Sequence, residues 1–139
     1  NSVVGISSGK TSGAYGPAAR ALDIGSLAQV LGETAGPWDF IIDDASHISS
    51  LTIASFKVHF PHLRSGGAYV VEDIHSSYHA HYYGYTEANP NPERDKYTAM
   101  GFFKRLADQV NVDLLDEGFR ERFDVAEVRF ARDTVTVIK

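Results

Sequence analysis

The chain has 139 residues, 43% of them hydrophobic, which suits one domain with a substantial core. Its formal charge is −5, from 13 basic and 18 acidic residues, and no Lys/Arg run stands out, which argues against a nucleic-acid partner. There is no cysteine, no apolar stretch near the ~20 residues of a membrane span and no charged-then-apolar leader, so disulfide and thiolate chemistry are excluded and a cytoplasmic, non-membrane protein is expected.

Val3-Val4-Gly5-Ile6-Ser7 reads as a short buried strand. Gly9-Lys10-Thr11 follows in a Ser/Gly-rich stretch, but the first glycine of a P-loop would fall at Val4, so a loop is expected. Residues 19–24 suit a weak strand. Ser26 to Gln29 forms a capping box, with Leu27, Val30 and Leu31 at helical spacing and Gly36-Pro37 as the stop.

The centre of the chain is WDFIIDDASH, then about twenty residues of helical character, then GGAYVVEDIH. Phe40-Ile41-Ile42 and Ala68-Tyr69-Val70-Val71 suit buried parallel strands, joined by a crossover helix capped by Ser49 or Ser50 and running to about His59. Its apolar positions are Leu51, Ala54, Phe56 and Val58, Pro61 ends it, and Ser65-Gly66-Gly67 turns into the second strand. Residues 75–95 read as a long aromatic and polar loop of the binding type. Tyr97 to Val110 is helical, with Ala99, Phe103, Leu106, Ala107 and Val110 on one face. Residues 123–130 and 134–138 alternate as a terminal hairpin turning at Arg132-Asp133. The class is α/β, one domain over 1–139.

Both central strands end in acidic pairs, Asp43-Asp44 and Glu72-Asp73, at the edge where open α/β sheets bind ligands. Carboxylates gathered in one crevice repel unless a cation or protons neutralise them. Asp44, Glu72 and Asp73 are hard oxygen donors suited to Mg²⁺, and His47 is placed to accept a proton near neutral pH. Asp43 should face away from Asp44, because side chains alternate along a strand, and is expected as a cap or supporting residue. His75, His79 and His81 match no metal-ligand spacing and suit a substrate-binding loop. His59 and His62 suit the dipole at a helix end.

The stretch GPWDFIIDDASH…FPHLRSGGAYVVEDIHSSY resembles the metal- and S-adenosylmethionine-dependent sugar O-methyltransferases of macrolide biosynthesis, of the mycinamicin VI 2''-O-methyltransferase type. The DD-x-S-H and E-D motifs at this separation carry the resemblance, strongest over residues 36–78. It implies a Rossmann-like class I methyltransferase sheet with a C-terminal antiparallel hairpin. It also implies Mg²⁺ on Asp44, Glu72 and Asp73, His47 as general base, and a glycosylated small molecule as acceptor, with Tyr78 and His75 beside it. Donor contacts would fall at Ser7, at Asp23 and, next to the metal, at Asp43. By the same comparison Val3–Ser7 matches the family's second strand, so the first strand and its glycine-rich turn are expected to be missing. An N-terminally incomplete enzyme, a site completed by a homo-oligomer or complementing chain, and a degenerate binding module are each compatible with that. An incomplete active methyltransferase is the expectation. A metal-dependent hydrolase using the same carboxylates is the weaker rival.

Overall fold

The computed structural model describes residues 3–7, 37–79, 98–111 and 122–139. The expected strand at 19–24, the helix after Ser26 and most of the 75–95 loop lie outside them. The elements are β1 (Val3–Ser7), β2 (Trp38–Asp44), α1 (Ser49–His59), β3 (Leu63–Glu72), α2 (Ala99–Gln109), β4 (Glu127–Ala131) and β5 (Thr134–Ile138). Short 3-10 turns span Phe60–His62 and Ile74–Tyr78. No helix among the described residues is long and apolar enough to cross a membrane.

The five strands form one sheet in the order β1-β2-β3-β5-β4. β1, β2 and β3 are parallel, and β5 and β4 add the antiparallel hairpin. The crossover from β2 to β3 through α1 is the expected βαβ unit. Val3–Ser7 pairs directly with β2, from Val3 opposite Phe40 to Ser7 opposite Asp44.

One aromatic cluster holds the helices on the sheet. Phe56 of α1 is fully buried at its centre. Its ring lies 4.6 Å from Phe60, 5.1 Å from Tyr69, 5.5 Å from Phe102, 5.4 Å from Phe103 and 5.3 Å from Phe123. Most of these contacts are edge-on, the geometry ring quadrupoles favour. Ile41, Val71, Leu106, Val135 and Val137 complete the core.

The two helices depart from their apolar patterns in instructive ways. α1 buries Ser49, Thr52, Ser55, Phe56 and His59, a face of mostly small polar groups, while Leu51 is 47% exposed. α2 buries Ala99, Phe103 and Leu106 as expected, and Val110 is exposed. Ser49 does not cap its own helix. Its Oγ accepts the Ala99 N–H at 2.8 Å, Ser77 Oγ accepts that of Met100 at 3.0 Å, and Thr98 Oγ1 accepts that of Gly101 at 3.1 Å. Three buried hydroxyls thus satisfy successive donors at the start of α2. The contact ties α2 to the segments that follow Asp44 and Asp73.

Gly66 and Gly67 lie within β3, where the pairing with β2 shifts register, and not in a turn before it. Gly66 has φ +75°, and a Cβ on Gly67 would sit 2.9 Å from the Arg64 carbonyl oxygen. Only glycine fits both demands.

Candidate active site at the carboxyl edge of the sheet

β2 and β3 deliver Asp44 and Asp73 to the same edge, and the connection into α1 returns His47 between them. His47 Nε2 lies 3.8 Å from Asp44 Oδ1 and 3.7 Å from Asp73 Oδ2. The ligand atoms of all three lie within 4.8 Å of one another. Backbone conformation makes this possible. His47 has φ 55° and Asp73 φ 52°, left-handed values that bend the chain just beyond each strand end. Ser46 Oγ accepts the Ile48 N–H at 3.3 Å and supports the first bend. Non-glycine residues in this region are sparse and concentrate at functional sites.

The third non-glycine residue with positive φ among those described, Asp133 at φ 64°, adjoins the same edge. Its carboxylate accepts the His75 N–H at 3.1 Å and engages the His75 ring, and its carbonyl accepts the Ile74 N–H at 3.3 Å. Asp73, His75 and Asp133 form a second converging group. Desolvation raises the Asp133 carboxyl, but the His75 hydrogen bonds bring it below its ordinary value. Nothing in the linear sequence marks Asp133 beyond its being a turn residue. Its contact spans 58 positions.

The other expected residues fall as follows. Glu72 ends β3 exposed to solvent and is outside both groups, since it alternates with Asp73 and the left-handed bend follows it. Tyr78 and His75 are exposed beside the edge, with the His75 and His79 rings 5.4 Å apart. Ser7 ends β1 opposite Asp44. Asp23 lies outside the described residues.

Asp43 is turned to the interior. It is 3% exposed and faces the core on the opposite side of β2 from Asp44. Tyr69 OH donates to Asp43 Oδ2 at 2.7 Å, and Ser55 Oγ stands 2.9 Å from the Tyr69 oxygen. Because the Tyr69 proton is committed to Asp43, Ser55 is the donor to Tyr69. His59 Nδ1 donates to the Ser55 carbonyl at 2.7 Å. Burial pushes the Asp43 carboxyl up, partly offset by Tyr69 and Ser55, and pushes Tyr69 well up. Burial also lowers His59, so it is neutral at pH 7 and supplies no charge to the helix end. This network braces the carboxyl end of β2 against α1 and β3.

The network sets a pH dependence. Asp43 is raised above 3.8, so the stability it contributes is fully present below that pH and is lost as pH rises through its folded value. His59 is lowered below 6.5, so its contribution is present above that pH and is lost as pH falls through its folded value. Asp43→Asn keeps an acceptor for Tyr69 without the charge. Denaturant unfolding should find it more stable than wild type at pH 7.5, with the advantage gone near pH 4. An equal difference at both pH values would mean that the Asp43 carboxyl titrates alike in the folded and unfolded protein, so that burial does not raise it.

No protein-family profile matches the chain. Individual proteins do. The chain is 44% identical over 87 residues to the L-olivosyl-oleandolide 3-O-methyltransferase of Streptomyces antibioticus, covering 62% of this chain and 22% of that protein. It is 42% identical over 78 residues to the 8-demethyl-8-alpha-L-rhamnosyl tetracenomycin-C 2'-O-methyltransferase of Streptomyces olivaceus, covering 56% and 19%. Its fold matches the MycE methyltransferase of the mycinamycin pathway, solved with Mg, SAH and mycinamycin VI, at TM-score 0.70 and 30% identity, over 84% of this chain and 29% of that one. Over the matched segment the chain is similar in sequence to sugar O-methyltransferases, and its fold matches that of MycE. It spans about a fifth of the length of these curated relatives.

Proposed function

We propose that this chain carries the metal and base part of a Mg²⁺- and S-adenosylmethionine-dependent O-methyltransferase acting on a sugar hydroxyl of a glycosylated natural product. The observation that carries the reading is the convergence of Asp44, His47 and Asp73 at the strand ends, in a chain similar in sequence to sugar O-methyltransferases. Two carboxylates beside a half-exposed imidazole form a hard, oxygen-rich donor set that fits Mg²⁺. Asp44 and Asp73 would hold it, and Glu72, outside the converging group, would serve as a third carboxylate only by turning toward them. Once bound, the cation supplies charge that orients neighbouring sugar hydroxyls and eases their ionisation.

His47 takes the proton of the attacking hydroxyl at Nε2, the nitrogen facing both carboxylates. The hydroxyl oxygen forms its bond to the methyl carbon as the carbon–sulfur bond breaks, and the bonding pair leaves on sulfur as a neutral thioether. The leaving group needs no acid, so alignment and deprotonation carry the step. Tyr78 and His75 face the acceptor. Ser7 closes the donor side, beside Asp44. The test is transfer of a labelled methyl group from S-adenosylmethionine to glycosylated macrolides and polyketides, with Mg²⁺ present or chelated. Transfer is expected only with the cation present.

A further inference from the structure

We infer that Asp133, in the turn of the terminal hairpin, is a positioning residue for the cation site, occupying His75 so that the Asp73 carboxylate stays available to a divalent cation. The inference rests on the reading of Asp44 and Asp73 as cation ligands.

β5 runs antiparallel to β3 with Thr134 opposite Glu72, so the hairpin turn meets the chain just beyond Asp73. There Asp133 receives three interactions from two successive residues: the Ile74 N–H on its carbonyl, and the His75 N–H and ring on its carboxylate. Asp73 itself is left-handed, and its carbonyl accepts the Ser76 N–H at 3.0 Å. A left-handed aspartate persists only where its surroundings over-determine it. The clamp on residues 74 and 75 provides much of that constraint.

The ring contact adds a second effect. His75 Nδ1 lies 3.9 Å from Asp73 Oδ1, yet its hydrogen bond goes to Asp133. One N–H serves one carboxylate well. Without Asp133 the nearest acceptor is Asp73, and an imidazole seated on that oxygen competes with a cation for it.

The experiment measures Mn²⁺ affinity of the chain by electron paramagnetic resonance, with thermal midpoints in parallel. Asp133→Ala should weaken Mn²⁺ binding by about 10-fold or more, the usual effect of removing a partner behind a metal ligand. Asp133→Asn, which keeps an acceptor for the His75 N–H, should fall between it and wild type. Removing the competitor as well, in His75→Ala/Asp133→Ala, should bring affinity back to within about 3-fold of His75→Ala alone, a non-additivity expected of groups in contact. Unchanged affinity in Asp133→Ala overturns the inference. So does a loss that the double variant fails to restore, since a purely structural role would leave the loss in place. If Asp133→Ala does not fold, the Asn variant decides, and wild-type affinity in it overturns the inference. Absence of Mn²⁺ binding by wild type would sink the cation reading itself, a result distinct from either of these.

Discussion

Replacing His47 with asparagine is expected to lower methyl transfer about 10²–10⁴-fold, the contribution of a positioned general base. Asparagine is the informative choice because His47 sits at φ 55°, a conformation Asn tolerates. Alanine there adds backbone strain of about 1 kcal/mol and confounds folding with chemistry. Mn²⁺ affinity should be spared, because Asp44 and Asp73 reach the site from strand ends and do not depend on the imidazole. Steady-state kinetics with saturating cation decides. Activity that survives in His47→Asn would remove His47 from the mechanism and leave only its place in the group.

The largest effect on stability is expected at Phe56. Phe56→Ala removes the ring at the centre of five aromatic contacts in a fully buried site. Loss of about 3–5 kcal/mol is expected from the lost transfer energy and the cavity left behind. The cluster draws on α1, β3, α2 and the segment before β4, so the void has walls on several elements that cannot all collapse inward. Leu51→Ala, on the same helix but 47% exposed, should change stability by no more than about 0.5 kcal/mol. Denaturant unfolding of the two variants checks both figures. Similar losses at both sites would mean that the helix is held by propensity rather than by the aromatic cluster.

The parallel pair at the centre was readable because Phe40-Ile41-Ile42 and Ala68 to Val71 are apolar on both faces and stop at acidic residues. The opposite orientations of Asp43 and Asp44 followed from strand alternation alone. α1 was readable as a helix but its buried face was not. Thr52, Ser55 and His59 carry no hydrophobic signal, and their burial depends on Tyr69, which belongs to another element. Ser49 was legible as a cap but not as the cap of a helix 50 residues away. β1 shows a further limit. A parallel strand has no turn to fix its neighbour, so Val3–Ser7 could be recognised as a strand while its partner could not. Asp133 and the left-handed bends at His47 and Asp73 were beyond reach for the same reason. They arise where segments distant in sequence meet and leave no local pattern.

The cation dependence of methyl transfer, in wild type and in Asp73→Asn, decides whether this edge of the sheet is a cation-assisted site. Transfer is expected to need Mg²⁺ in wild type, to stop on chelation and to return on re-addition, while Asp73→Asn loses both transfer and Mg²⁺ response. Transfer undiminished by chelation, or an Asp73→Asn variant as active as wild type, would contradict a cation-assisted site at this edge of the sheet.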